Sequence, residues 1–244
     1  MVLRPPTAHM QLSPTGFDIW LASKLGECLN RFPLFDECIQ SGLRHYVLGG
    51  FWYAGAMFVF WVQAARLGEH EKRLRIITTI VGSAITILLA LLAGMVLTWP
   101  PPIRNAELAH FFPPYIEPNL NASSFPSVST ALYGSVAAGI YSIHRTTGLV
   151  LWVALPLLVS LPRMYVGGHW FSDIIAGLIL ALIGYALARY LLEPPLLARL
   201  ETILANNRRW MIVTELLVFA WIFEVAVEFR EGVWLVRAFE IFTH

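Results

Sequence analysis

The sequence predicts an all-α fold, a polytopic membrane bundle of about six transmembrane helices with an N-terminal interfacial helix. Apolar residues make up 57% of the 244 residues, charged residues make up only 14%, and the apolar residues come in blocks. An ordinary soluble domain is about a quarter charged. The net charge of +1 provides no basic face for nucleic acid. The composition therefore excludes a disordered chain, a nucleic-acid binder and a typical soluble enzyme.

Six blocks are candidates to cross a bilayer, whose hydrocarbon core requires about 20 apolar residues in a helix. They cover residues 46–65, 76–99, 126–143, 148–162, 174–188 and 211–227. The second block is the clearest because it is the longest, with 24 residues and no charge. Serines make the third block more polar, and the last block is the weakest because it contains Glu215 and Glu224. Together the blocks define a membrane domain over residues 45–229.

An N-terminal extension, residues 1–44, precedes this domain, and residues 230–244 form a C-terminal tail. Between residues 17 and 40 the extension mixes apolar Trp20 and Leu25 with charged Lys24. Such a segment is suited to lie in the membrane interface as an amphipathic helix. A soluble helix that packs on the membrane domain fits the same pattern. Both readings place this segment outside the membrane-spanning part of the chain.

The short loop between the first two spans determines the expected orientation. This loop, residues 66–75, reads RLGEHEKRLR and is rich in lysine and arginine. Because short loops of this kind remain in the cytoplasm, we expect the loop to be cytoplasmic. Alternation of the spans then places the loop 100–125 and the turn around Gly167 on the other side. We therefore expect a multi-pass protein of the cell (inner) membrane whose site faces the periplasm or exterior.

Three ionisable residues precede or begin the fifth span with the spacing R-x5-H-x3-D, namely Arg163, His169 and Asp173. His169 and Asp173 are four residues apart and therefore share a helical face. A carboxylate that reaches an imidazole nitrogen fixes the tautomer and stabilises the cation, which leaves the other nitrogen free to attack. Ionisable groups beside membrane helices are costly and indicate function by default. The alternative to a functional role is that each of these three side chains merely extends to the membrane interface.

Two further segments on the outward side carry candidate residues. Pro126 and Ser127 open the third span, where a helix N-terminus offers free backbone N–H groups to an anion. An ordinary N-cap explains the same two residues. Arg104 follows the second span, where a lone arginine usually anchors a helix at the interface. Neither segment indicates an anion site by itself.

Together these residues resemble the type 2 phosphatidic acid phosphatase superfamily, whose motifs read K-x6-R-P, P-S-G-H and S-R-x5-H-x3-D on an all-helical core. The third motif reads PRMYVGGHWFSD here, which matches in residues and spacing. The second reads FPSVS and matches through Pro126 and Ser127, whereas the first keeps only Arg104. The resemblance covers roughly residues 76–190. It is strongest to the small bacterial members that act on polyprenyl diphosphates.

The resemblance implies a membrane lipid phosphatase or phosphotransferase that requires neither metal nor cofactor. His169 would attack phosphorus and form a phosphohistidine, with Asp173 orienting the ring. The residues that would contact the phosphoryl oxygens are Arg104, Arg163, Ser127 and Ser129. The implied partner is a lipid phosphate, such as a polyprenyl diphosphate, whose tail stays among the membrane lipids. Nucleic acid is not an implied partner.

Several departures from the motifs stand beside this resemblance. The second-motif histidine, which would protonate the leaving group, falls on Ser129, and a serine hydroxyl is a poor acid at neutral pH. The first-motif lysine falls on Leu97, and the third-motif serine falls on Pro162. His110 is a candidate replacement acid, although an ordinary solvated loop histidine is favoured. The alternative function is therefore a catalytically silent lipid-phosphate-binding or transport-associated membrane protein.

The expected orientation can be tested by labelling single cysteines in intact cells, in a chain that lacks Cys28 and Cys38. Cysteines introduced near Glu107 and Gly168 should react with a membrane-impermeant maleimide, because both positions are expected to lie outside. A cysteine near Glu71, in the basic loop, should react only after the cells are permeabilised. Protection of the first two positions, together with labelling near Glu71, would invert the topology.

Overall fold

The computed structural model describes residues 10–11, 13–29, 31–45, 48–112, 123–192 and 208–229. Its α-helices are α1 (Gly16–Cys28), α2 (Pro33–Arg44), α3 (Gly50–Leu67), α4 (His70–Val96), α5 (Val128–Ile143), α6 (Arg145–Ala154), α7 (Leu161–Tyr165), α8 (Phe171–Leu192) and α9 (Arg208–Ala226). The predicted all-α membrane bundle is therefore confirmed. The predicted C-terminal tail, residues 230–244, lies outside the described residues.

Short elements connect these helices near one end of the bundle. A π turn, Leu155–Ser160, continues α6 into α7, and 3₁₀ turns cover Pro102–Arg104 and Ala109–Phe111. Two-residue strands β1 (Met10–Gln11) and β2 (Leu97–Thr98) pair in parallel. The strand pair thereby joins the N-terminal segment to the chain directly after α4.

By length and composition, three helices of the described residues can cross a membrane: His70–Val96, Arg145–Tyr165 and Phe171–Leu191. α5 is apolar but shorter, and its 16 residues extend about 24 Å at 1.5 Å per residue. α3 has 18 residues and α9 has 19, and both include polar or charged side chains that lower their hydropathy. All six predicted blocks fall largely within helices of the structure. Three of these helices qualify as membrane spans by length and composition alone.

α5 is almost wholly buried and contacts both α4 and α8, which also contact each other. Small residues permit this packing. A Cβ on Gly139 of α5 would lie 2.1 Å from the Thr79 hydroxyl oxygen of α4, so a larger residue would force the two helices apart. α3 and α9 pair with each other and also contact α4. The ends of α4, α5 and α8 consequently lie together, and the candidate site lies there.

The N-terminal helices pack on this end of the bundle. α1 contacts α7, α8 and the Ala109–Phe111 turn, and α2 contacts α7. α1 begins with a capping box, in which Thr15 and Asp18 each accept a hydrogen bond from the other's backbone N–H. The two helices also expose large apolar side chains, among them Phe17, Trp20, Phe32 and Leu34. The segment therefore packs on the membrane domain and still presents apolar surface suited to the interface.

Candidate active site

The third-motif residues lie around the turn between α7 and α8, with Arg163 in α7, His169 within the turn and Asp173 at the start of α8. Gly167 adopts φ +76°, a conformation that favours glycine, and the turn is closed by a bond from the Gly168 N–H to the Arg163 carbonyl at 2.9 Å. The Gly167 carbonyl accepts the Ile103 N–H at 3.1 Å. This bond holds the turn Pro102–Arg104 against the segment that leads to His169.

His169 is held in one tautomer by a backbone carbonyl. Its Nδ1 lies 2.9 Å from the Ser124 carbonyl oxygen. Because a carbonyl can only accept, Nδ1 must carry the hydrogen, and Nε2 keeps its lone pair. The sequence predicted that Asp173 would fix the tautomer, but its carboxylate is the more distant partner, with Oδ2 at 3.5 Å from Nδ1. Nε2 is therefore the nitrogen that remains for the predicted attack on phosphorus.

Asp173 is fully buried at the start of α8. Its Oδ2 accepts the Trp170 N–H at 2.8 Å, which caps the helix, while Oδ1 has no hydrogen-bond partner among the described residues. The same Oδ2 lies 3.5 Å from His169 Nδ1, close enough for an electrostatic contact between the carboxylate and the ring. Asp173 thus combines a capping role with an electrostatic one, and its catalytic role stays a prediction.

Ser127 is buried as the N-cap of α5, where its Oγ accepts the Thr130 N–H and lies 3.0 Å from the Thr130 hydroxyl. Its own N–H donates to the Asp173 carbonyl at 3.1 Å, which joins the starts of α5 and α8. The contacts of the Ser127 side chain are therefore those of an ordinary helix N-cap. Arg104 is exposed at the end of the 3₁₀ turn beside the site. The phosphate-binding roles predicted for both residues stay predictions.

Arg163 forms an ion pair with Glu228, a residue that sequence reasoning missed. The Tyr133 hydroxyl lies 3.2 Å from Glu228 Oε1, and the Ser129 hydroxyl lies 3.4 Å from Oε2. The signal that could have indicated Glu228 is a carboxylate directly after the last apolar block. The structure thus brings Arg163 and Ser129, both predicted phosphate ligands, together around an internal anion.

The last apolar block also contains Glu215 and Glu224, for which the sequence indicated no role. Glu215 forms an ion pair with Arg73 and accepts the Trp61 Nε1–H at 2.6 Å. Arg73 also stacks over the Trp61 ring, 4.2 Å from its centroid. This cluster joins α9 to α3 and to the start of α4. Glu215 is therefore a packing residue at the basic-loop end, whereas Glu228 lies at the site.

All three aspartates of the chain are buried around the site turn: Asp18, Asp36 and Asp173. Asp18 of α1 accepts the Ser172 N–H at 2.9 Å and the Ser172 hydroxyl, and Asp36 of α2 accepts the Tyr165 hydroxyl. Burial acts to raise the pKa of the Asp18 carboxyl, but the hydrogen bonds from Ser172 and Thr15 outweigh it, so the pKa is lowered. The N-terminal helices therefore brace both ends of the turn.

The chemistry available to this arrangement is nucleophilic attack by a neutral imidazole beside cationic and hydroxyl groups that suit an anion. Within the described ranges, no three histidine, cysteine or carboxylate residues are grouped so as to hold a metal ion. His110, the candidate replacement acid, is exposed on the Ala109–Phe111 turn with its ring centroid 3.9 Å from that of Phe111. The nucleophilic role of His169 and the phosphate-binding role of Arg163 stay predictions.

The fold is that of a polytopic membrane protein built from helices. Its candidate site is centred on a histidine, since Arg163, His169 and Asp173 lie within or beside the turn that joins α7 to α8. Residues 74–194 match the family model of the PAP2 superfamily, and through them this chain belongs to that superfamily. The resemblance found in the motifs is thereby confirmed. PAP2 superfamily proteins are generally phosphatases.

One curated relative shares part of this region. Over 61 residues the chain is 36% identical to the bacitracin transport permease protein BcrC of Bacillus licheniformis. The matched segment covers 25% of this chain and 30% of the permease, so the chain spans less than a third of that relative's length. No solved structure matches the chain. The similarity therefore supports the family alone.

The bracing role of Asp18 predicts a pH-dependent stability. A carboxyl whose pKa is lowered by folding stabilises the folded state at pH values above its unfolded-state pKa of about 3.9. That contribution is lost as the pH falls through the folded-state pKa. In thermal unfolding in detergent, Asp18→Asn should be less stable than wild type at pH 6 by about 0.5–2 kcal/mol, because a neutral amide accepts the hydrogen bonds from Ser172 and Thr15 less strongly than a carboxylate does. The difference should shrink below about pH 4.

Glu27→Gln is the matched control, because Glu27 lies on the same helix in an exposed pair with Lys24. Its effect should stay below about 1 kcal/mol at pH 6. A difference between wild type and Asp18→Asn that remains constant down to pH 3 would contradict the role assigned to the Asp18 carboxylate.

Proposed function

We propose that this protein is a membrane lipid phosphatase that acts through a phosphohistidine on His169, with a polyprenyl diphosphate or related lipid phosphate as substrate. The observation that carries the proposal is the bond from His169 Nδ1–H to the Ser124 carbonyl, because it leaves Nε2 free to attack while the buried Asp173 carboxylate lies near Nδ1. Membership of a superfamily of phosphatases supports the same conclusion.

The proposed reaction has two displacements at phosphorus. Nε2 of His169 attacks, the bond to the leaving oxygen breaks, and the phosphohistidine carries a positive ring that the Asp173 carboxylate stabilises. Arg163, Arg104 and the N-terminus of α5 would stabilise the negative charge on the transferred oxygens. Water then attacks the phosphohistidine, which releases inorganic phosphate and restores the neutral ring.

The geometry of α4 supports an outward-facing site. This helix begins at His70 in the basic loop, and the chain reaches Trp99, whose carbonyl accepts the Ser124 N–H at 2.7 Å, directly after its other end. The basic loop and the site therefore lie at opposite ends of a helix of spanning length. With the loop in the cytoplasm, the site faces the periplasm or exterior of the cell (inner) membrane.

A second candidate function is a catalytically silent lipid-phosphate-binding or transport-associated protein. Ser129 at the position of the second-motif histidine favours it, since the site then lacks the usual acid. The partial relative is named a transport permease. A substrate panel separates the two functions: phosphate release from polyprenyl diphosphate, polyprenyl phosphate, phosphatidate or phosphatidylglycerol phosphate supports the phosphatase, and binding without release supports the silent protein.

Substitutions at the histidine pair test the mechanism. His169→Ala should abolish turnover in a protein that still folds, since the ring makes one backbone hydrogen bond, whose loss costs about 0.5–1.5 kcal/mol. Asp173→Asn should lower kcat by about 10²–10³-fold through loss of charge stabilisation. This loss is smaller than the about 10⁴-fold that a wrong tautomer costs in a serine-protease triad, because the Ser124 carbonyl still holds the tautomer. Phosphate release from a polyprenyl diphosphate provides the measurement.

His70→Ala, in the basic loop far from the site, is the control and should keep full activity. Full activity of His169→Ala would remove the phosphohistidine mechanism. A loss as large as about 10⁴-fold in Asp173→Asn would show that the carboxylate, and not the carbonyl, fixes the tautomer.

The serine at position 129 predicts a preference for diphosphates. Cleavage of a monoester expels an alkoxide that needs a proton, whereas a diphosphate expels a phosphate whose second pKa is about 6, so it can leave without an acid. General acid catalysis contributes about 10²–10⁴-fold, and its loss should slow phosphatidate far more than polyprenyl diphosphate. Relative kcat/KM for the two substrates measures this preference.

Ser129→His should raise hydrolysis of phosphatidate more than hydrolysis of the diphosphate, since it restores an imidazole at this position. Ser135→Ala, at a buried hydroxyl further along α5, is the control and should leave the ratio unchanged. Equal rates on both substrates in the wild-type protein would contradict the missing acid and indicate another proton donor, with His110 as the first candidate.

A further inference from the structure

Arg163 is bound to an anion that the chain itself supplies. The Glu228 carboxylate forms an ion pair with the guanidinium, and the two side chains are only 17% and 15% exposed, respectively. Carboxylates and phosphoryl groups offer a guanidinium the same kind of accepting oxygens. Glu228 therefore takes the place on Arg163 that a phosphoryl group would need.

Two hydroxyl groups of α5 complete the surroundings of this carboxylate. The Ser129 hydroxyl lies 3.4 Å from Oε2, and the Tyr133 hydroxyl lies 3.2 Å from Oε1 and 3.1 Å from the Val225 carbonyl. Ser129 and Tyr133 are four residues apart on one helix and so share a face. A cation with two hydroxyls around one carboxylate is the composition of an oxyanion site.

A defined turn after α9 delivers Glu228 to this place. Glu228 and Phe229 have φ of 54° and 58°, a left-handed conformation that non-glycine residues keep only when their contacts hold it. The Phe229 N–H donates to the Glu224 carbonyl at 2.8 Å, and its ring packs on Trp221 at 5.0 Å. A Cβ on Gly50 would lie 2.0 Å from the Ala226 carbonyl oxygen, so glycine is needed for this approach.

On the basis of the proposed function, we propose that Arg163, Ser129 and Tyr133 form a phosphoryl-binding site whose internal ligand is Glu228. A lipid phosphate must displace the Glu228 carboxylate, because two anions on one guanidinium repel each other strongly where water is scarce. Tyr133 thereby becomes a binding residue that the motifs do not include. The apparent affinity for substrate is therefore the intrinsic affinity multiplied by the fraction of molecules in which Glu228 has left Arg163.

The test measures binding of farnesyl diphosphate to the full chain in detergent by calorimetry, in a His169→Ala background that cannot attack the ligand. Glu228→Gln should bind at least about tenfold more tightly, which corresponds to Arg163 being occupied in about nine-tenths of molecules. Glu215→Gln is the matched control, since it removes another arginine-paired carboxylate from α9. It should leave the affinity unchanged.

Two further variants extend the test. Tyr133→Phe, added to Glu228→Gln, should weaken binding by roughly tenfold if the hydroxyl donates to the phosphoryl group. Glu228→Asp keeps the charge on a shorter side chain that reaches Arg163 less well, so it should also bind the ligand more tightly than the parent. Thermal unfolding establishes that each variant is folded, and Glu228→Asp replaces Glu228→Gln where the latter fails to fold.

The outcomes separate this inference from the proposed function. Unchanged or weaker binding by folded Glu228→Gln and Glu228→Asp would overturn the internal-ligand role. Tighter binding, with no hydrolysis of any substrate by the chain that keeps His169, would support the internal ligand and overturn the phosphatase. Glu228→Gln could instead bind the ligand as the parent does and, in the chain that keeps His169, selectively lose hydrolysis of phosphatidate. That result would make Glu228 a proton donor and overturn its role as a competitor.

Discussion

The geometry of the site depends on Asp173, because this residue joins three parts of the chain at one buried point. Its carboxylate accepts the Trp170 N–H and lies 3.5 Å from His169 Nδ1, and its backbone carbonyl accepts the Ser127 N–H. A buried carboxylate is costly unless it is hydrogen-bonded or paired, so these contacts are coupled to the fold. The histidine is consequently positioned by the same bonds that start α8 and connect it to α5.

The part of the site that could be predicted consists of residues that are close in sequence. The R-x5-H-x3-D spacing indicated Arg163, His169 and Asp173. His169 precedes α8, however, so its ring meets the Asp173 carboxylate across the start of the helix and not on one helical face. Apolar blocks likewise predicted the long helices, since a membrane helix must satisfy its own backbone. The spans α5 and α9 are less clear than the others, because the length and composition of a block do not distinguish a short membrane span from a helix buried at the centre of a bundle.

The unpredicted part consists of partners that are distant in sequence. Ser124 lies 45 residues from His169, Glu228 lies 65 residues from Arg163, and Asp18 lies 154 residues from Ser172. Local periodicity contains no information on which distant segments meet. Ser124 acts through a carbonyl that every residue has, so no side-chain pattern could indicate it. Glu228 could have been identified only by knowing that the chain at the end of α9 contacts α7 and α5.

For the proposed reaction, the site offers a ring nitrogen that could attack phosphorus and lacks the usual group for protonating the leaving oxygen. The Ser124 carbonyl and Asp173 prepare Nε2 of His169, whereas at position 129 a hydroxyl meets a carboxylate that is already paired with Arg163. If that carboxylate yields readily, the chain can bind a phosphoryl group and pass it to the histidine. If it does not, the same residues hold lipid phosphate poorly and turn it over slowly. The equilibrium at Arg163 thus determines how much lipid phosphate the site binds, whereas the supply of a proton at position 129 separates a phosphatase from a silent binder on the same site.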